Sequence, residues 1–452
     1  MTVEARSSDR SGTHGCEYAA MDGMPAGVSP TLWINEETAR RRADGAPIVP
    51  LGFGEAGIPV LTELTERLAD AAVHAEYGPV AGIGELREAI AGYWRRRGID
   101  AETGRVIAAP GSKPLLFSLV RAIGGPIALP RPSWVSYAAQ AALVGARVVP
   151  VPVPDAHGGV PEPALLDEAA GRARRQGDPL TAVILTLPDN PTGTVADPGT
   201  VQAIAEVAER HDLLVICDEI YRDLIHDPSR PFLSPAELIP QRTILTTGLS
   251  KNLALGGWRI GAACLPAGAR GRALHASVLS IASEVWSAPS HPVQCAAAWA
   301  FTEPAAVTER IAASRVLHGA LARAIAATFS RHGVTLRAPT AAFYLYPSFE
   351  AHREHLAGAH GVTTGAQLSA ALLERHGVAT LPGSAFGDPE ATLSVRVATS
   401  GLYGDTDEQR LQALGDPDPA RLAWIDAQLG ALDRALADLL GTPGLHPAAR
   451  VV

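Results

Sequence analysis

The 452-residue chain is predicted to be an α/β protein, with a mostly parallel sheet in a large domain and a smaller α+β domain after it. Three observations predict this. The length is enough for two well-formed cores. From about residue 105, short β-branched runs alternate with helical patterns, the rhythm of βαβ units. After about residue 290 that rhythm gives way to long Ala- and Arg-rich helical stretches and then shorter strand candidates.

In chain order, "RVIAA" is a strand and a helix follows from about 113. "PIALP" leads to a helix from about 134, "ARVVPVPV" is a strand, and "AVILTLP" leads to a helix from about 198. "LLVICD", "TILTTG" and "IGAACLP" complete the large domain. Beyond it, "VQCAAAWAF" and "VTERIAASRVLHGALARAIAATFSRHG" are helical, and "GVTLRA", "AAFYLYPSF", "GVATLPG" and "LSVRVATS" are strand candidates. "GDTDEQRLQALGDPDP" reads as an exposed loop with a short helix, and a closing helix is expected around 420 to 440.

An apolar fraction of 47% with 19% charged residues fits a globular chain. The net charge of -9 argues against nucleic acid or an anionic membrane surface as the main partner, because phosphate binding needs a basic face. Cys16, Cys217, Cys264 and Cys295 form no CxxC pair and have no histidines at ligand spacing, so neither a metal site nor a disulfide framework is indicated. The start "MTVEARSSDRSGTHG" lacks the apolar core of a signal peptide, and no run approaches the roughly eighteen apolar residues of a membrane span. The expectation is a cytoplasmic protein with a loose extension over residues 1–28.

"GFGEAG" at 52–57 matches GxGxxG after an apolar run. A dinucleotide fingerprint needs a helix starting at the third glycine and further βαβ units. Pro59 delays the helix, and "YGPVAGIGELREAIAGYW" follows as a loop and helix with no strand between, so the dinucleotide reading is set aside.

Of 38 basic residues only Lys113 and Lys251 are lysines. Where charge alone is needed this chain uses arginine, whereas an amine can lose its proton and act as a nucleophile. In a doubly wound sheet the ligand lies off the carboxyl ends of the strands. The residues found there are Gly111-Ser112-Lys113, Trp134, Asn190, Asp218 with Tyr221 one turn on, and Lys251. An anion nest, an aromatic face, an amide, a carboxylate with a phenol, and an amine are what a phosphorylated pyridine aldehyde requires. Arg259, eight residues past Lys251, adds a fork for the phosphate.

On these residues the chain resembles the class I/II aminotransferases of the fold-type-I pyridoxal-phosphate superfamily. The matching segments are "YGPVAGIGELREAIAGYW", "PGSKPLLFSLVRAI", "PRPSWVSY", "DNPTG", "CDEIYRDL", "GLSKNLALGGWRIG", "APTAAFYLYP", "LPGSAFG" and "LSVRVATS". Each is weak alone, but nine in order from about 28 to 440 are specific.

The resemblance implies that Lys251 is the Schiff-base lysine, bound to pyridoxal 5'-phosphate, and that Asp218 partners the pyridine nitrogen. Asn190 and Tyr221 would hold the ring oxygen, and Trp134 would stack on the ring. The phosphate would meet Ser112, Lys113, Ser250 and Arg259, with Tyr77 reaching in from the second subunit of a homodimer. Arg396 would grip the substrate α-carboxylate, with Gly54 and Asn190 facing the substrate. The implied division is an extension at 1–28, an N-terminal arm at 29–60, a large cofactor domain at 61–300 and a small domain at 301–452, to which the arm also contributes. The implied reaction is transamination between an α-amino acid and a 2-oxo acid. Elimination, replacement or cyclisation on the same cofactor stays open.

Three departures stand out. "GEAGIP" replaces the common Gly-Glu-Pro-Asp, Gly248 stands where many relatives carry a hydroxyl, and "GGWR" replaces Thr-Gly-Trp-Arg. Each assignment also has a plainer reading. Lys251 reads as a surface lysine, Asp218 as a helix cap, Asn190 as a turn residue, and Trp134 and Tyr221 as packing. Arg259 and Arg396 read as halves of ion pairs, and Lys113 as a solvated side chain. Arg121, two turns into the first helix, reads as a solvated face or as a reader of a substrate carboxylate. A ligand-sensing regulator would need a basic DNA-binding domain that the residues before 30 are too few to form. A degenerate scaffold would have had little reason to keep these strand-end groups.

Overall fold

The computed structural model describes residues 28–442. The expected extension at 1–28 lies almost wholly outside the described residues. A seven-stranded sheet forms the centre. Across the sheet the strands run Val106–Ala109, Gly261–Cys264, Thr243–Gly248, Leu214–Asp218, Ala182–Thr186, Ile127–Arg131 and Val148–Pro152. All neighbours are parallel except Gly261–Cys264, which is antiparallel to both of its own.

Alternation along these strands builds two cores, because successive side chains point to opposite faces. Val183, Leu185, Val215 and Cys217 face a core shared with helices Gly84–Arg95, Pro163–Arg175, Pro198–Arg210 and His291–Phe301. Ala182, Ile184, Leu214 and Ile216 face the helices Ser112–Ile123, Val135–Leu143 and Gly268–Val285. A sheet covered on both faces explains why its strands read as near-continuous apolar runs.

A third core joins Leu317, Leu321 and Ile325 of helix Ala305–Arg331 to Val395, Val397, Leu432 and Leu436, and it also takes in Val49 and Leu51. The segment Val49–Pro50 pairs in parallel with Val378–Ala379, which ties the N-terminal arm to the C-terminal part. The short helix in the acidic loop is Asp407–Gly415 and the closing helix is Ala423–Leu440. No helix of the described residues is long and apolar enough to cross a membrane.

Two strand expectations need correction. "GVTLRA" forms no strand, only an isolated bridge between Thr335 and Ser348, because Pro339 soon removes a backbone donor. "GVATLPG" is split: Val378–Ala379 pairs with the arm and Leu381–Pro382 pairs antiparallel with Val395–Ala398, so one run serves two sheets. Helices Pro30–Ala43 and Gly268–Val285 add to the elements expected from the sequence.

Candidate active site

A cavity of about 330 Å³ opens at the carboxyl ends of the parallel strands. Eleven of the twelve candidate residues line it: Gly54, Ser112, Lys113, Trp134, Asn190, Asp218, Tyr221, Ser250, Lys251, Arg259 and Arg396. Tyr77 does not. It stands 92% exposed on the loop between helices Thr62–Ala71 and Gly84–Arg95. Arg121 is exposed and outside the cavity, in keeping with a solvated helix face.

Asp218 ends its strand and is buried. Thr246 Oγ1 donates to its Oδ1 at 2.9 Å and the Tyr137 hydroxyl to its Oδ2 at 3.2 Å. Burial pushes the carboxyl up to about 6, against the pull of these donors and of the Ile220 N–H. A cation set against it would restore the anion. Tyr137, itself 2.7 Å from Thr186 Oγ1, and Thr246 are missing from the sequence-derived site, although "PRPSWVSY" contains Tyr137.

Lys251 follows the strand Thr243–Gly248, and its Nζ donates to the Gly54 carbonyl at 2.6 Å. That carbonyl also accepts from the Tyr344 hydroxyl at 3.4 Å. A Cβ on Gly54 would collide with the Tyr344 hydroxyl, so the altered "GEAGIP" loop needs glycine there for its backbone to reach the amine. Tyr344 is likewise missing from the sequence-derived site. Its hydroxyl is 3.0 Å from that of Tyr221, and Asn190 Nδ2 donates to Tyr221 at 3.4 Å. Burial, then Tyr344, raises the Tyr221 phenol well above its ordinary value, so it stays a proton donor. Asn190 Oδ1 is buried without a hydrogen-bond partner.

Gly111 at φ +95° leads into helix Ser112–Ile123, whose first N–H groups have no side-chain cap. Such a terminus is an anion site. Arg259 lies over it, where any Cβ on Gly111 would collide with the guanidinium. Gly261 is equally required, since its Cβ would run into the backbone of Gly111 and Ser112. A side chain at Gly248 would press on the Ile260 carbonyl, 2.9 Å from its Cβ position, which closes that place to a hydroxyl residue. Lys113 Nζ sits 5.2 Å from the Trp134 ring centroid, and loss of solvent, then Arg259 and Lys251, lowers its pKa.

Arg396 is 1% exposed. Its Nη2 donates to the Gly52 carbonyl at 2.6 Å, its Nε has no partner, and among the described residues no carboxylate pairs with it. Burial lowers its pKa, but a guanidinium remains charged at neutral pH. A buried cation with unused donors calls for an anion from outside.

Residues 48–414 match the sequence profile of the family described as aminotransferase class I and II. A probable aspartate/prephenate aminotransferase of Thermus aquaticus is 33% identical over 324 residues, covering 70% of this chain and 81% of the relative. The aspartate aminotransferase of Geobacillus stearothermophilus is 31% identical over 380 residues, covering 80% and 90%. Among solved structures, the Thermus thermophilus aspartate aminotransferase with maleate superposes with a TM-score of 0.74 at 28% identity, covering 86% of this chain and 95% of that one. The site and these likenesses define a fold-type-I pyridoxal-phosphate enzyme. The chain belongs to the class I and II aminotransferases, which move an amino group between an α-amino acid and a 2-oxo acid. The named relatives support transamination and none supports the elimination alternative.

Proposed function

We propose that this chain transfers the amino group of an acidic α-amino acid to a 2-oxo acid in the cavity around Lys251. The observation that carries the reading is the convergence of that amine with Asp218, Asn190, Tyr221, Arg259 and Arg396 on one cavity. The orphaned Asn190 Oδ1, the uncapped helix terminus under Arg259 and the unpaired Arg396 each lack a partner that a bound cofactor and substrate carboxylate would provide.

Pyridoxal phosphate, when bound, supplies an aldehyde carbon and a ring that accepts electrons from the substrate Cα–H bond. Lys251 would hold it through its amine and, once displaced, act as general base at the substrate Cα. Asp218 would keep the ring nitrogen protonated, with Tyr137 and Thr246 fixing its two oxygens. Asn190 and Tyr221 would hold the ring oxygen, and Trp134 the ring face. The N–H groups at Ser112, with Lys113, Ser250 and Arg259, would hold the phosphate. Arg396 would take the α-carboxylate.

The four basic residues of the cavity lining are committed to the aldehyde, the phosphate and the α-carboxylate, so the choice of an amino donor with a second carboxylate rests on the relatives. Their named activities, aspartate and aspartate/prephenate transamination, support that choice. We further infer a homodimer whose sites are completed by Tyr77, the domain division at 60 and 300, and a cytoplasmic location. The free Cys217, Cys264 and Cys295 support that location.

The test follows the nitrogen. With ¹⁵N-aspartate and a 2-oxo acid, mass spectrometry should find the label in the new amino acid, and free ammonia in its place would point to elimination. Borohydride trapping with peptide mapping should place the cofactor on Lys251, whereas recovery on Lys113 would overturn the assignment.

A further inference from the structure

His74, Glu76 and His291 lie together outside the cavity, at a place the transamination chemistry does not use. His74 and Glu76 belong to the loop that follows helix Thr62–Ala71, and His291 opens the helix His291–Phe301 packed against it. The tertiary fold therefore joins two segments that are distant in sequence.

The ligand-capable atoms all fall within 4.8 Å of one another. His291 Nδ1 is 3.1 Å from Glu76 Oε1, and His74 Nδ1 is 3.4 Å from the same oxygen. Ligands bonded at ~2.0–2.2 Å to a tetrahedral ion are separated by roughly 3.3–3.5 Å. The edge from His74 to Glu76 is thus already at that length, and the edge from His291 to Glu76 is about 0.2 Å short of it. The two imidazoles stack at 4.7 Å between centroids and 15° between planes, with both Nδ1 atoms near one carboxylate oxygen.

His291 Nδ1 is shut off from solvent and makes no hydrogen bond. A neutral imidazole lone pair facing a carboxylate oxygen is repulsive, so either a proton or a cation belongs between them. A metal ion meets the need of all three groups at once. In the single chain His74 is 46% exposed along its side chain and Glu76 60%, so both can turn to close the remaining edge.

We propose that His74, Glu76 and His291 bind one divalent ion of the zinc class, with the remaining coordination left to water. Two imidazoles and a carboxylate suit zinc or cobalt better than magnesium or calcium, which prefer oxygen alone. The bound ion would fasten the loop carrying Tyr77 to the helix His291–Phe301. Because imidazole must be neutral to bind metal, binding should release protons and affinity should weaken as pH falls.

The experiment uses tag-free holoenzyme titrated with Co²⁺ and followed by its visible absorption, with Zn²⁺ as competitor. Hydrogen exchange of the segment 72–83 is measured alongside. The expected result is one saturable site per chain, displaced by Zn²⁺, with affinity reduced at least ~tenfold in His74→Ala and again in His291→Ala. Zn²⁺ should slow exchange in the segment in wild type but not in His74→Ala, whose substitution at an exposed position leaves the fold intact. A wild-type protein without a saturable Co²⁺ band would overturn the proposal, since a proton would then occupy the gap. Variants that bind as tightly as wild type would overturn it equally.

Discussion

The Tyr137 hydroxyl donates to Asp218 Oδ2 at 3.2 Å across 81 residues of sequence. It is one of two side-chain donors that offset the burial of this carboxylate, the other being Thr246. A hydrogen bond to a charged group contributes roughly 1.5–3 kcal/mol. Tyr137→Phe should therefore raise the Asp218 pKa and cut turnover about tenfold, with each ~1.4 kcal/mol worth a factor of ten. The acid limb of kcat/KM against pH should move upward in this variant. Asp218→Asn, which cannot hold a pyridine nitrogen protonated, should lose far more, and turnover within a few-fold of wild type would remove that role from Asp218.

Asp189 gives a second prediction, on stability. Its Oδ2 accepts from the Thr192 N–H at 3.0 Å and the Thr192 hydroxyl at 2.5 Å, yet burial pushes the carboxyl from 3.8 up to about 7. A folded-state pKa above the unfolded one means the contribution is fully present below about pH 3.8 and is lost as pH rises through about 7. At ~1.4 kcal/mol for each tenfold change in proton affinity, this contribution amounts to a few kcal/mol. Between pH 5 and 8, denaturant unfolding of cofactor-free Asp189→Asn should show a flatter stability profile than wild type. An unchanged slope would place the titration elsewhere.

The strand ends were legible because their chemistry is local: a polar residue after a buried apolar run has few other reasons to stand there, as Asp218 and Lys251 do. Tyr137 and Tyr344 were not. A tyrosine in an apolar helix or strand looks like a core residue, and only the packing of distant segments decides whether its hydroxyl meets Asp218 or Tyr221. The need for Gly54 shows the same limit, since it comes from the approach of Tyr344, 290 residues away. "GVTLRA" stops at a single bridge from Thr335 to Ser348, with Pro339 close behind, a pairing outcome that the run itself does not announce. Helix Gly268–Val285 was hidden by its glycines and weak periodicity.

Arg396 should separate binding from stability. Arg396→Ala removes the guanidinium proposed to hold the α-carboxylate, so KM for the amino donor should rise by about a hundredfold, roughly 3 kcal/mol. Arg396→Lys keeps the charge but not the fork, and should recover only part of that loss. Without substrate the same cation is buried, with an unpartnered Nε and no carboxylate beside it among the described residues. Arg396→Met, which fills the space without a charge, should therefore unfold at or above the wild-type temperature while remaining a poor enzyme. A large fall in melting temperature together with an unchanged KM would reverse the assignment.

The last prediction concerns Tyr77, which is 92% exposed and outside the cavity of its own chain. In the proposed dimer it completes the phosphate site of the second subunit, so Tyr77→Phe should weaken cofactor retention and Lys251→Ala should abolish turnover. A heterodimer of one Tyr77→Phe subunit and one Lys251→Ala subunit places both lesions in one site: the Lys251→Ala subunit's cavity receives the phenylalanine. The other site keeps its own Lys251 and receives an intact Tyr77. Because that second site is whole, the heterodimer should regain up to about half of wild-type activity per dimer at limiting cofactor, well above either parent, as expected of an isologous interface. Tandem tags on the two subunits allow the heterodimer to be isolated and its cofactor content measured by absorbance. If isolated heterodimers show no gain over the parents, or if sedimentation finds a fully active monomer at assay concentration, Tyr77 serves its own chain or none, and the sites are not shared.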